Sequence, residues 1–402
     1  MTTPDTRDET PRARRPPAEV SRRRCPPRIE TLDGDASRIK ALVQTRLGRA
    51  AASIEPIDAG LGTRRFYRVH LHEGEPQSVI ARVEPEGTPQ PRADALLAEA
   101  PTWLPEPRLE PIRGFLEAGG LPVPRCPVHC PEDGIDLLED VGTRTLAMTG
   151  GAERRACYRE ACSLIPRLQR LHAPADRVPA FGRIYDRALV GTKAWKWLHW
   201  TIPGLLGRQP RPDETREIHA LFEKIARLLE SAPRRLAHRD FKAENLHLRT
   251  GSPEADPRGP EDAGTRLVMI DFQGAFLAPP EYDLACLLVD MQVDLDEQLV
   301  QTCLDETRPA LPDAPDPETF ALRFDGIALL RLCKDLSHVI HAAVARNDPR
   351  RFHEVPRGLA LLEGTVGRLE HTFPEIRTLT SVIHALTAAA HSSDSPSQGR
   401  AE

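Results

Sequence analysis

Lysine is scarce in this 402-residue chain: Lys40, Lys193, Lys196, Lys224, Lys242 and Lys334 stand among 54 basic residues, and the others are arginines. No ammonium is available between Lys40 and Lys193, so any cation that this stretch turns towards a phosphate must be a guanidinium. The chain also carries 39 prolines, so the arginine excess looks like a bias of the whole sequence, and an arginine here can mean only a basic position. Long apolar runs are missing. No stretch approaches the roughly 20 residues that cross a bilayer, and Arg14-Arg15 lacks the apolar core that follows in an export signal. Excess positive charge is missing too: 54 basic and 59 acidic residues give a net charge of -5, which argues against a nucleic-acid binder. Eight cysteines in a chain of this length make no disulfide framework, and a reducing cytoplasm suits them. Cys126-Pro127-Val128-His129-Cys130 holds soft ligands, but no second cluster has the spacing to complete a metal site. Cys157, Cys162, Cys286 and Cys333 fall in apolar helical patterns and read as small core residues.

What the chain does have is concentrated chemistry. His238-Arg239-Asp240-Phe241-Lys242-Ala243-Glu244-Asn245 fits the pattern His-Arg-Asp, four residues, Asn, and Ile270-Asp271-Phe272-Gln273 follows it. Phosphoryl transfer needs a carboxylate to orient and deprotonate the attacking hydroxyl, and oxygen ligands for the magnesium ions that bridge the phosphates. Asp240 suits the first role, and Asn245 and Asp271 the second. A solvated loop of charged residues is the plainer reading, and the joint presence of both motifs speaks against it.

Along the chain, residues 1–30 are Arg- and Pro-rich with few large apolar residues and read as a disordered tail. An amphipathic helix follows, capped by Asp35 or Ser37, with Ile39, Leu42, Val43 and Leu47 on one face. Gly60-Leu61-Gly62 then enters a strand through Phe66 to Leu71, and Ser78 to Val83 is a second strand. Backbone N–H groups at Gly60 and Gly62 can cover phosphates, because no side chain obstructs close approach. Arg82, ending Val79-Ile80-Ala81, either touches nucleotide or is structural. Glu99, in the helical stretch from Ala93 to Ala100, is its candidate partner, with Glu86 as the rival. Ile135 to Gly142 is a strand breaking into a hinge, where backbone at Glu139 and Val141 can meet an adenine edge; an ordinary strand end is the alternative. Helical patterns dominate from Arg154 onward. One runs from Arg154 to His172, with Pro166 expected to kink it; one runs from Asp213, as N-cap, to Ser231; and one from Phe320 to Ala345. Trp195, Trp197 and Trp200 are either core or a platform for a sugar or aromatic ligand. Leu246-His247-Leu248 and Leu267 to Ile270 form a hairpin around a polar, disordered insertion at about 251–265. Asp283 either bonds back to the catalytic-loop backbone or caps the apolar helix that follows it.

These residues resemble the aminoglycoside and choline phosphotransferase family of protein-kinase-like small-molecule kinases. Within it they are most similar to bacterial cell-wall sugar kinases acting on N-acetylmuramate and N-acetylglucosamine. The likeness rests on Thr63-Arg64-Arg65-Phe66-Tyr67-Arg68-Val69, Leu137 to Gly142, the two motifs above and Tyr282-Asp283-Leu284-Ala285. It implies an α+β, bilobal kinase-like fold: a nucleotide-binding lobe with a small antiparallel sheet at 31–140, a mostly helical lobe at 141–390, and a tail at 391–402. It also implies ATP or GTP and Mg2+ as cofactors, and a small-molecule acceptor, preferably an amino sugar, with no nucleic-acid or membrane partner. Lys242 departs from the sugar-kinase pattern and matches the protein-kinase loop, where a lysine neutralises the γ-phosphate. A protein kinase is excluded by spacing, since twelve positions from Asp271 to Asp283 leave no room for a peptide-docking segment. An aminoglycoside kinase and a catalytically silent nucleotide-binding module remain as alternatives.

If Asp240 is the base, Asp240→Asn lowers kcat by about 10²–10⁴-fold with nucleotide affinity retained. Steady-state kinetics paired with nucleotide calorimetry check this, and unchanged turnover removes Asp240 from the role.

Overall fold

Alternation of apolar residues along two neighbouring strands gives the first part of the chain a sheet with two unlike faces. The computed structural model describes residues 29–57, 64–84, 107–249, 267–313 and 315–393. Helix α1 (Ile29–Leu42) runs into a π-helical turn and stops at Gly48, whose φ of 66° is the left-handed conformation that glycine adopts without strain. Strands β1 (Ala51–Ile57), β2 (Arg65–Leu71) and β3 (Ser78–Val83) follow, then helix α2 (Ile112–Ala118) and strands β4 (Val128–Cys130) and β5 (Ile135–Glu139). The five strands pair antiparallel in the order β1-β2-β3-β5-β4. Tyr67, Val69, Val79, Ala81, Val83 and Leu137 form one core with Ile39, Leu42 and Val43 of α1. Ile80 and Leu138, side by side on the opposite face, pack instead on the larger core that includes α2. The sheet thereby turns its second face, with Arg82 and Asp136 on it, towards the helical part of the chain.

The remainder is mostly helical. It comprises α3 (Gly151–Gln169), α4 (Arg187–Lys196), a π-helical turn through the tryptophans, α5 (Ile202–Leu206) and α6 (Pro212–Glu230). Short strands β6 (Arg235–Ala237), β7 (Leu246–Leu248), β8 (Leu267–Met269) and β9 (Phe276–Ala278) come next. Helices α7 (Tyr282–Leu288), α8 (Glu297–Thr307), α9 (Pro317–Ala345), α10 (Val355–Leu369) and α11 (Ile376–Ser393) complete it. β6 pairs with β9 and β7 with β8, both antiparallel. Helix α9 is buried on most sides because α4, α7 and α10 all pack against it. No helix among the described residues is long and apolar enough to cross a membrane.

Several local expectations are corrected. β1 was not foreseen. Asp35 does not cap α1, which begins six residues earlier; it sits mid-helix, 4% exposed, and accepts hydrogen bonds from Arg65 and from Tyr67 Oη at 2.7 Å. The N-cap of α6 is Arg211 rather than Asp213, because the Glu214 carboxylate reaches back to the Arg211 N–H at 2.7 Å. The three tryptophans are all buried, Trp197 completely. The Gly60–Gly62 loop, Glu86, Glu99, the 251–265 insertion and residues 1–28 and 394–402 of the expected tails lie outside the described residues, whereas 29–30 and 391–393, also expected in the tails, are helical in α1 and α11. Among those that are described, no group of histidine, cysteine and acidic residues is placed to hold a metal ion, the Cys126–Cys130 stretch included.

Burial raises the Asp35 carboxyl, but the bonds from Arg65 and Tyr67 outweigh it and hold the group below its ordinary value. A depressed carboxyl contributes stability in full above its unfolded value and loses it as the pH falls through the folded one. Asp35→Ala should therefore cost about 2–3 kcal/mol at pH 7. The gap to the unsubstituted protein should narrow below about pH 4. Thermal denaturation across pH 3–7 reads both effects.

Candidate active site

The catalytic loop is held from below by one carboxylate. Pairing of Ala237 with Phe276 brings the end of β6 next to the start of α7. There the fully buried Asp283 accepts the backbone N–H groups of His238 at 2.7 Å and Arg239 at 3.1 Å. Burial pushes the Asp283 carboxyl up to about 7, while the two N–H groups pull it down. Arg239 is thereby fixed at φ 84°, a conformation that a non-glycine residue keeps only when its surroundings impose it. His238 is buried edge-on to Phe241 and Phe272, and burial lowers its imidazole to about 4, so it is neutral at physiological pH.

This grip presents Asp240 to a set of cations. Arg331 Nη1 lies 3.5 Å and Lys334 Nζ 3.7 Å from Asp240 Oδ1, and Arg239 Nε is 3.7 Å from Oδ2. Burial acts to raise this carboxyl. Lys334, Arg239, Arg331 and Lys242 together outweigh burial and hold it well below the ordinary range. Arg331 also donates to the Arg239 carbonyl at 2.8 Å and to Tyr282 Oη at 3.3 Å, stitching α9 to the loop and to α7.

The β7–β8 hairpin brings the second pair of residues together. Its register sets Leu246 opposite Met269, so Asn245 and Ile270 face each other at its open end, joined by the Ile270 N–H to the Asn245 carbonyl at 2.9 Å. Asn245 Nδ2 donates to the Asp240 carbonyl oxygen at 2.8 Å, which leaves the amide oxygen as the group's acceptor. Asp271 adopts φ 65° and accepts from Gln273 Nε2 at 2.6 Å. An amide oxygen and a carboxylate form an oxygen-only donor set. That set suits Mg2+, which takes one or two protein ligands and fills its octahedron with phosphate oxygens and water. The residues fit the ion.

Arg82 is 2% exposed and bonds Asp136 at 2.9 Å and Glu84 at 2.6 Å, so its described partners are these two rather than a helix glutamate. Glu139 takes Arg249 on both carboxylate oxygens, at 2.9 and 3.1 Å, and its N–H goes to the Arg125 carbonyl. Val141 follows the end of β5, where Asp140 ties Arg68, Ser78 and the Gly142 N–H together. Lys242 reaches Glu244 at 3.0 Å and Gln292 at 3.4 Å.

Sequence reasoning missed the contribution of α9 and α4. Arg331, Lys334, Asp335 and His338 recur at helical spacing on the second half of a long, largely apolar helix, and that polar stripe was the available signal. Lys196 of α4 meets it, with Nζ 2.9 Å from His338 Nε2. The tryptophans support this stripe instead of flooring an open pocket: the Trp200 ring stacks on His341 at 4.1 Å and lies beneath Lys196.

Residues 53–317 match the model of the phosphotransferase enzyme family, APH. The chain belongs to that family. This phosphotransferase is similar to the N-acetylmuramate/N-acetylglucosamine kinase of Caulobacter vibrioides, 26% identical over 353 residues that cover 81% of this chain and 91% of the relative. A kinase of the same name from Pseudomonas aeruginosa is 26% identical over 289 residues, covering 69% of this chain and 78% of its own. Among solved structures, the streptomycin–ATP ternary complex of APH(2")-IIa superposes with a TM-score of 0.51 at 15% identity, over 81% of this chain and 98% of that one. The expected family and the bilobal α+β kinase fold are therefore the observed ones, and the phosphotransferase is an enzyme.

Replacing Arg331 by Gln removes a cation beside Asp240, which must raise the aspartate's pKa. The acid limb of the kcat/KM profile should move to higher pH, and Arg331→Lys should return it; a limb that stays in place assigns Arg331 a packing role only.

Proposed function

We propose that this phosphotransferase moves the γ-phosphate of a nucleoside triphosphate, ATP or GTP, to a hydroxyl of an amino sugar of the N-acetylmuramate/N-acetylglucosamine type. The observation that carries this reading is the sign of the charge around Asp240. Arg239, Arg331, Lys334 and Lys242 all act on it, and Lys196 lies beside them. A polycationic aminoglycoside would bring like charge into a partly desolvated place, where repulsion is strong. A neutral or anionic sugar meets no such penalty. The names of the similar kinases point the same way.

In the mechanism, Asp240 accepts a hydrogen bond from the acceptor hydroxyl and aims its oxygen at the γ-phosphorus. The new O–P bond forms as the bond from phosphorus to the β,γ-bridging oxygen breaks, leaving a nucleoside diphosphate, and the hydroxyl proton passes to Asp240. A strong base is not required, because little covalent work falls to the protein when the transition state is loose. Asn245 and Asp271 would hold Mg2+, which neutralises charge on the phosphates when bound. We assign Lys242 to the γ-phosphate edge of the catalytic loop. Gly60 and Gly62 are assigned to the phosphates and the backbone at Glu139 and Val141 to the base, while Arg82, bonded to Asp136 and Glu84 instead of the expected Glu99, is assigned a structural role in the sheet. The described cysteines are all free thiols, which suits a reducing cytoplasm.

The test is an acceptor screen with the purified protein, ATP or GTP and Mg2+, read as mass gain of one phosphate. N-acetylhexosamines should be phosphorylated and kanamycin-like acceptors should not. Transfer to the aminoglycosides alone would replace this reading with the resistance-kinase one. Nucleotide binding without transfer to any acceptor would favour a silent binding module.

A further inference from the structure

Four of the six lysines, Lys193, Lys196, Lys242 and Lys334, stand around the catalytic loop and its neighbouring helices, a departure from the arginine bias of the chain. Three of them are accounted for. Lys242 pairs with Glu244, and Lys334 bridges Asp335 at 3.0 Å and Asp240 at 3.7 Å. Lys193 is buried 4.8 Å over the Tyr185 ring, and burial drives its ammonium well below the ordinary value.

Lys196 is different. It is half-buried, and among the described residues no carboxylate lies within ion-pair distance of it. Its neighbours are the imidazole of His338, at 2.9 Å, and the face of Trp200, at 5.4 Å. Burial, with Lys196 and Lys334 nearby, holds His338 well below its usual value, so the ring is neutral and accepts the ammonium's proton in a hydrogen bond. Burial, Lys334 and Arg239 lower Lys196 itself to about 8, which leaves it mostly charged at pH 7. Asp335 is near enough to act on Lys196 but is engaged by Lys334 and Arg331, so the ammonium, held in place and partly desolvated, has no carboxylate bonded to it and gains from an arriving anion.

The reaction brings two candidate anions, a phosphate of the nucleotide or a carboxylate of the acceptor. The oxygen donors suited to the phosphate-bound metal ion, Asn245 and Asp271, come from the β7–β8 hairpin, whereas Lys196 joins the centre through α9. We infer that Lys196, backed by Lys334, receives a carboxylate on the acceptor and makes an anionic amino sugar the preferred substrate. This rests on the amino-sugar reading above and adds the substrate's charge to it. A rotating ammonium is suited to the task, because it can follow a flexible carboxylate that a planar guanidinium fork would have to meet in one orientation.

N-acetylmuramate and N-acetylglucosamine differ by a lactyl ether that carries such a carboxylate, so kcat/KM for the pair isolates it. The unsubstituted enzyme should favour N-acetylmuramate. Lys196→Met should reduce kcat/KM for N-acetylmuramate by about 10- to 100-fold, mainly through KM. That loss should exceed the loss for N-acetylglucosamine at least tenfold, and the KM for nucleotide should change less than that for N-acetylmuramate. Lys196→Gln, which keeps a hydrogen-bond donor without the charge, is the second variant and should shift the same ratio if Lys196→Met does not fold. Equal losses on the two sugars, or a larger change in nucleotide KM, overturn the inference while leaving amino-sugar transfer standing. Transfer to neither sugar overturns both.

Discussion

One carboxylate sets the geometry on which the rest of the site depends. Asp283 replaces the solvent that two consecutive N–H groups would otherwise need, and in doing so forces the chain into a left-handed turn at Arg239. That turn aims Asp240 out of the loop and leaves the Arg239 carbonyl pointing at α9, where Arg331 takes it up. The arrangement is circular in a useful way: Asp283 fixes the loop, the loop offers its carbonyl to Arg331, and Arg331 returns its charge to Asp240. Such a network is costly if any member is left unpaired, which is how buried polar groups specify one conformation.

The cations around Asp240 serve two ends that usually compete. For stability, a carboxylate in a partly dry cleft needs compensation. For chemistry, a carboxylate that is too well compensated is a poor base. In the role we propose for Asp240, a loose phosphoryl transfer relaxes the conflict, since it asks the aspartate chiefly to orient the hydroxyl and only late to take its proton. Positive charge left over in the same place then remains available for the substrates. The site can therefore be electropositive at rest without losing its reaction.

Much of this was legible in the sequence, and what was not has a common cause. The strands around Phe66–Leu71 and Ser78–Val83 follow a period of two, the hairpin is marked by two short apolar runs, and the residues proposed as catalytic stand at recognisable spacings. Asp35 was misjudged because its partners, Arg65 and Tyr67, are some thirty residues away on a strand it meets only in three dimensions. Arg82 likewise finds Asp136 through the register between β3 and β5, which local pattern does not set. The α9 stripe was hidden for the same reason: Arg331, Lys334 and His338 look like ordinary polar interruptions of a helix until α4 and the catalytic loop are packed against them. Local chemistry was readable; charges paired across elements were not.

The stretch from Asp271 to Asp283 is short, and β9 occupies its middle, tied along its length to β6. In signalling enzymes the corresponding stretch is a long strap that ordering or modification swings between working and idle positions. Here it is already part of a sheet, with Gln273 bonded to Asp271 at one end and the His238 and Arg239 N–H groups bonded to Asp283 at the other. A segment fixed this way takes its shape from backbone pairing rather than from an ordering event.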